Sequence, residues 1–439
     1  MILRKRKKAW TMLAMAVCFS VTAMMPVTSQ GAETTVNWTR EQASRIELNQ
    51  DNTLPYFEID KLEKLAPGYH IWDTWPLMNR DGSTASIKGW KVLFALSAPN
   101  DVLPGKVHDI ATIRYFYSKN GKNWTFGGDL FPKGTPLGSR QWAGSAMADG
   151  DDIYAFYTAT GREGEERLTY EQRLALGTGK IVADQNGVRF EQWDKHRIIL
   201  EPDGKWYETY EQAKQGEGGG YAFRDPMWFQ DPQSGKEYLL FEGMSGGVVT
   251  ERACKPEHAG SPEFAAPPEA VHQNGNIGIA EVTGDVDRVT MLPPLLEANC
   301  VNEELERPHI VVKDKKYYLF TDTHINKYAP GLSGPEGLYG FVSDTLIGGY
   351  KPLNGSGLVL ANPPENPYQA YSWLVTPELN VVGFAHFGDL GGMAIGDVGN
   401  QSPEFQFAHW GGTLAPTVKL SIDGDRTKIE KELPQGWIK

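Results

Sequence analysis

The 439-residue chain has a formal charge of −12 and holds 48 glycines, 28 prolines, 13 tryptophans and 18 tyrosines. It is long enough to bury a large core, and its acidity disfavours nucleic acid or an anionic membrane as partner. Glycine, proline and aromatics in short runs point to β structure with many turns.

The first segment stands apart from that fold. Arg4-Lys5-Arg6-Lys7-Lys8 leads an apolar stretch from Ala9 to Val27, and small residues follow at Ser29, Gly31 and Ala32. This pattern predicts a secretory signal peptide over residues 1–32 and an extracellular protein. Ser20, Thr22 and Pro26 interrupt the stretch, which argues against a membrane anchor. Cleavage removes five basic residues and no acidic one, which takes the charge to about −17 and suits a neutral substrate. Residues 33–439 contain no dividing linker and read as a single catalytic domain.

Within it, Trp38 to Leu65 reads as partly helical, with Thr39 placed to cap Arg40 to Ile46. Five strand-like segments then recur, starting at Lys91, Asp152, Glu237, Lys316 and Val381, with starts 61, 85, 79 and 65 residues apart. A turn signal precedes each, and an unusual motif precedes each turn. The motifs are Trp72-Asp73, Trp142-Ala143-Gly144-Ser145, Arg224-Asp225-Pro226, Glu306-Arg307-Pro308 and Tyr371-Ser372-Trp373. Five such units, each offering its first strand to a common centre, predict an all-β, five-bladed propeller with a central funnel.

Between these units, Ile113–Ser118 runs into the hairpin signal Asn120-Gly121. Residues 246–274 lack a period and read as a long loop. Cys18 leaves with the signal, so Cys254 and Cys300 remain, and an exported protein most simply joins such a pair as a disulfide. Closing that loop contributes roughly 3–4 kcal/mol. No His/Cys spacing accompanies them, so neither a metal nor a cofactor is expected.

Cleaving a glycosidic bond takes a proton for the leaving oxygen and a nucleophile or stabiliser at the anomeric carbon. Asp73 lies between Trp72 and Thr74 with Trp75 near, and reads as the nucleophile; its plainer reading is a turn aspartate. Glu306 reads as the proton donor, with burial raising its pKa. Arg307 is then expected to bond elsewhere, for instance to substrate hydroxyls. Glu304 shares a face with Glu306 in an extended strand and reads as a sugar binder, while Glu303 reads equally as a solvated edge charge. Asp225 beside Arg224 suits a stabiliser of an oxocarbenium ion, although Arg-Asp-Pro alone is more often a salt bridge before a turn. Trp72 and Trp142 read as sugar platforms or as core, and Trp228 as core.

Together these motifs resemble the levansucrase/inulosucrase family of sucrose-acting fructosyltransferases and β-fructofuranosidases, over roughly Trp38 to Val418. Further landmarks are Tyr317-Tyr318-Leu319-Phe320-Thr321 and Pro352-Leu353-Asn354-Gly355-Ser356-Gly357-Leu358. The related invertases share Arg-Asp-Pro but carry Asn-Asp-Pro and Glu-Cys motifs that this chain lacks. The resemblance implies a retaining mechanism with Asp73 as nucleophile, Asp225 as transition-state stabiliser and Glu306 as acid/base. It implies a sucrose pocket lined by Trp72, Trp142, Arg224, Glu304, Arg307 and Tyr371, with His324 near the acceptor. The histidine at 324 and the Cys254–Cys300 pair resemble the Gram-negative branch.

Two departures qualify what is carried over. Gly218-Gly219-Gly220-Tyr221 stands where calcium-binding members place an aspartate. Ala143 stands where many members have a serine, which points toward hydrolysis or short products. The sequence thus predicts a secreted enzyme that passes fructose from sucrose to fructan, sucrose or water. Its rivals are a mainly hydrolytic β-fructofuranosidase, an arabinan- or xylan-cleaving propeller, and an inactive sugar-binding propeller.

Overall fold

The computed structural model describes residues 35–216, 220–286 and 288–439. The predicted signal peptide and Gly218-Gly219 lie outside these residues. Five antiparallel blades, I to V, follow one another around an axis, with blades I and II joined into one nine-stranded sheet by parallel pairing of their innermost strands at Leu77–Asn79 and Ala146–Ala148. Their innermost strands are Tyr69–Asn79, Arg140–Asp149, Phe223–Gln230, Glu306–Lys313 and Ala370–Val375. Each innermost strand touches the next, and the fifth touches the first, which closes the ring. The recurring apolar segments form the second strand of each blade: Lys91–Pro99, Asp152–Thr160, Glu237–Met244, Lys316–Thr323 and Asn380–Phe387. They are buried on both faces between neighbouring strands, which explains their unbroken hydrophobic runs. The expected five-bladed propeller is what forms.

Every innermost strand breaks register at its motif: between Trp72 and Thr74, Trp142 and Gly144, Arg224 and Met227, Glu306 and His309, and Tyr371 and Leu374. In four blades the irregularity holds a non-glycine residue at positive φ: Asp73 at 44°, Asp225 at 61°, Arg307 at 50° and Ser372 at 58°. A bulge bends its strand and re-aims a side chain. Such a conformation costs of order 1–3 kcal/mol and persists only where surrounding bonds fix it. In blade II the approach is so close that a Cβ on Gly144 would lie 2.1 Å from the Phe156 carbonyl oxygen.

Contacts between blades, and of Val36–Trp38 and Ile438 with them, tie the ring together. Trp228 stacks on Phe156 at 5.6 Å between blades III and II, and is core as expected. The short strand Val36–Asn37 adds in parallel to blade III, while Trp38 donates to the Ser356 carbonyl at 2.9 Å in blade IV. At the other end, Ile438 donates its amide to Gly121 at 2.9 Å, fastening the C-terminus to blade I.

The helical expectation for residues 38–65 needs correction. Thr39 does cap a helix, in a capping box with Gln42, but the helix covers only Arg40–Ala43. Arg40 then turns inward and donates to the carbonyls of Cys300, Phe264 and Pro330, so contact with the body replaces further helical turns. Residues 246–274 are a chain of short helical turns rather than a plain loop. Cys254 and Cys300 are joined in a disulfide. Among the described residues no helix is long and apolar enough to cross a membrane.

Candidate active site

The bulges bring the acidic motifs to one end of the axis. A cavity of about 340 Å³ there is lined by Trp72, Asp73, Glu306, His324 and Tyr371, among others. Asp225 sits beside it, 6% exposed, near enough for the charges of Glu306 and Asp73 to act on its carboxyl.

Two bonds hold the Asp225 bulge. Its amide donates to Thr158 Oγ1 at 2.9 Å, and its Oδ2 accepts the Arg307 amide at 3.1 Å. Thr158 in turn donates to the Ala143 carbonyl at 3.0 Å. Blades II, III and IV are thus stitched through one aspartate.

Arg224 is the hub of the polar network. Its Nη2 lies 3.0 Å from Glu306 and 3.2 Å from Glu304, and its Nε 2.8 Å from Glu242. Tyr371 donates to Oε2 of Glu306 at 2.5 Å, and its ring stacks on His324 at 3.8 Å. Lys327 lies 3.4 Å from Glu304 and 3.5 Å from Glu303, so Glu303 is a paired group and not a free edge charge. Ligand atoms of Glu304, Glu306 and His324 approach within 4.8 Å of one another. The guanidinium of Arg224 already meets both glutamates, however, and supplies the positive charge that such a cluster needs.

These contacts reverse one expectation. Burial does raise the Glu306 carboxyl, but Arg224, His324, the Tyr371 hydroxyl and Lys327 outweigh it and hold the group below its ordinary range. Asp225 moves the opposite way: burial pushes it up, aided by Glu306 and Asp73, against Arg224 and Arg307.

Arg307 also departs from the expectation that it lines the pocket. It is 3% exposed, and its guanidinium donates to the Ser372 carbonyl at 2.6 Å, the Ser372 hydroxyl at 2.7 Å and the Thr74 carbonyl at 2.5 Å. It clamps blades V and I to blade IV. Trp142 is half-buried at the rim, its indole donating to the His108 carbonyl at 3.0 Å.

Several residues of the site carried no signal. His108, on the turn Pro104–Ile110, accepts the Trp72 indole N–H at 3.0 Å. Glu336 accepts from His324 Nδ1 at 2.8 Å. After the opposing effect of burial, Glu336, Glu304 and Glu306 hold His324 up at about 9, and His324 holds Glu336 down at about 2. Asp322, opposite Glu306 in the sheet, is fully buried and pushed well up by burial. Thr158 and Glu242 each close an apolar run, Ile153–Tyr157 and Tyr238–Phe241, the one hint available in sequence.

A five-bladed propeller with three carboxylates converging beside an arginine is the architecture of a sugar-cleaving enzyme. The levansucrase/invertase family model matches residues 27–439, and the chain belongs to that family of sucrose-acting enzymes. A levansucrase of Rahnella aquatilis is 35% identical over 424 residues, covering 91% of this chain and 95% of that protein. One from Zymomonas mobilis is 37% identical over 413 residues, covering 91% and 92%. Among solved structures, an inulosucrase of Halalkalicoccus jeotgali bound to kestose is 51% identical with a TM-score of 0.86, covering 92% of this chain and 97% of that one. A β-fructofuranosidase catalytic domain of Microbacterium saccharophilum is 31% identical with a TM-score of 0.81, covering 92% and 93%.

Proposed function

We propose that the protein is a secreted, retaining fructosyltransferase that cleaves sucrose, releases glucose, and passes fructose to fructan, sucrose or water. The convergence of Asp73, Glu306 and the Arg224-linked carboxylates at one cavity carries this reading. Asp73 attacks the anomeric carbon of the fructosyl unit and forms a covalent fructosyl ester. Glu306 protonates the departing glucose oxygen and later takes a proton from the acceptor. Asp225, ionised, stabilises the oxocarbenium-like transition state.

Glu306 must carry the proton when sucrose is cleaved, whereas its neighbours favour the carboxylate. Sucrose hydroxyls that engage Arg224 and Tyr371 relieve that bias. Trp72 and Glu304 belong to the sucrose pocket, His324 to its acceptor side and Trp142 to its rim. Arg307 acts through the Asp225 bond as a positioning residue. The leading segment and the disulfide support secretion, and residues 33–439 act as one catalytic domain.

Free glucose and free fructose, followed together in concentrated sucrose, test the reading. Glucose in excess of fructose is expected, because fructosyl groups enter sugar acceptors. Equal amounts would make the protein a β-fructofuranosidase, a reading favoured by alanine at 143. In that event Ala143→Ser raises the excess of glucose. Release of neither sugar would reject the proposal.

A further inference from the structure

We infer that Glu336 is a positioning residue for the transfer step: it holds His324 as an imidazolium whose free N–H meets the sugar acceptor, and so favours sugar over water. The inference rests on the proposed sucrose chemistry and names the residue that steers its second half-reaction.

Strand register builds the pair. Thr323 and Gly337 are the last partners between neighbouring strands of blade IV, so His324 and Glu336 stand opposite each other one step beyond. Glu336 is 1% exposed, and one of its oxygens accepts from His324 Nδ1 at 2.8 Å. Its other oxygen faces His386 of blade V, whose Nδ1 lies 3.7 Å away. A buried carboxylate is costly without a positive partner. His386 does not supply one, because burial is the largest influence on it and holds it below its ordinary value. The charge falls to His324, whose side chain keeps 25% of its surface exposed.

Two contacts fix what that imidazolium presents. Its ring lies along Tyr371, with centroids 3.8 Å and planes 13° apart, on a face that attracts a cation. Nδ1 is taken up by Glu336. Nε2 is left on the funnel side, 3.9 Å from Glu306 Oε2 and beyond hydrogen-bond length. A charged imidazole donates from both nitrogens, whereas a neutral ring bonded to Glu336 through Nδ1–H offers only a lone pair at Nε2. In the transfer step the acceptor oxygen bonds the anomeric carbon, the Asp73 ester breaks, and Glu306 takes the hydroxyl proton. Nε2–H, beside Glu306, then bonds a second oxygen of a sugar acceptor. Water brings no second oxygen.

The surrounding groups leave this charge on His324. Glu304 and Glu306 add to Glu336 in raising it against burial. Tyr371 stays a neutral phenol, and His108, like His386, is held low by burial. Arg224 and Lys327 meet carboxylates, Arg224 those of Glu304 and Glu306 and Lys327 those of Glu303 and Glu304.

The ratio of transferred to hydrolysed fructose tests this across pH, read as the excess of glucose over fructose divided by free fructose. Both products leave one intermediate and both need Glu306, so effects on cleavage cancel in the ratio. In wild type the ratio falls as pH rises through about 9, where His324 loses its proton. In Glu336→Gln it falls near 6.5 or below. At about pH 8 that variant then lies roughly tenfold under wild type, as expected for the loss of one charge-assisted bond. His324→Gln gives a low, flat ratio, and adding Glu336→Gln to it changes nothing further. A wild-type ratio that stays flat through about 9 would overturn the role of Glu336, even where Glu336→Gln does not fold. So would a Glu336→Gln profile that matches wild type, or equal glucose and fructose from wild type; each leaves sucrose cleavage standing. No glucose from wild type would instead reject the sucrose reading, and the role of Glu336 with it.

Discussion

The Tyr371 hydroxyl donates to Oε2 of Glu306 at 2.5 Å, while its ring stacks on His324 at 3.8 Å. The bond favours the ionised carboxylate and helps hold Glu306 low, alongside Arg224 and His324 and against burial. A general acid works protonated, so a lowered pKa brings the alkaline limb of kcat/KM to lower pH. Tyr371→Phe keeps the ring and removes the bond. Its alkaline limb moves to higher pH, read from a pH profile of sucrose cleavage; an unmoved limb would remove Glu306 as the titrating acid.

His324 and Glu336 make stability depend on pH at both ends. His324 is held up at about 9 from 6.5, so its contribution is complete below 6.5 and is lost as pH rises through about 9. Glu336 is held down at about 2 from 4.5, so the same pair loses its contribution as pH falls through about 2. The pair is fully effective between 4.5 and 6.5. Thermal unfolding of His324→Gln, measured across pH, is expected to lose most of the decline seen in wild type between pH 6.5 and about 9. An identical decline in both proteins would contradict the assignment.

Thr158 holds Asp225 from behind, accepting its amide and donating to Ala143. Thr158→Val leaves a buried N–H and a buried carbonyl unmet, a cost of about 1–3 kcal/mol. The expected result is a lower denaturant midpoint together with a lower kcat, both recovered largely by Thr158→Ser. A stability loss with kcat intact would mean that the bond serves the fold alone.

The disulfide closes a loop with a sequence separation of 46. Its removal in Cys254→Ser/Cys300→Ser is expected to cost about 3–4 kcal/mol in denaturant unfolding. Because Arg40 donates to the Cys300 carbonyl at 2.9 Å, the N-terminal segment should loosen as well, which hydrogen exchange at residues 36–43 would report.

Much of the ring was legible because local chemistry repeats in it. The apolar second strands, their turns and the motifs before them follow from short-range patterns, and Asp73, Asp225 and Glu306 stand out beside aromatics and arginines. What a bulge does to the next side chain was not legible. Arg307 lies next to Glu306 in sequence, yet its guanidinium turns into blades I and V. The electrostatics of Glu306 were hidden for a related reason. Arg224, Tyr371, His324 and Lys327 reach it from separate parts of the chain, so no local window contains the balance that overcomes burial. Glu242 and Glu336 look like strand-end and turn acids until their partners, Arg224 and His324, are placed in space.

The most direct test of the central claim is mass spectrometry of peptides from enzyme acid-quenched during turnover of sucrose. A fructosyl adduct on the peptide containing Asp73, absent when Asp73→Ala is treated alike, is the predicted result. Rapid turnover with no adduct at that peptide, or an adduct on the peptide containing Asp225 or Glu306, would contradict the account.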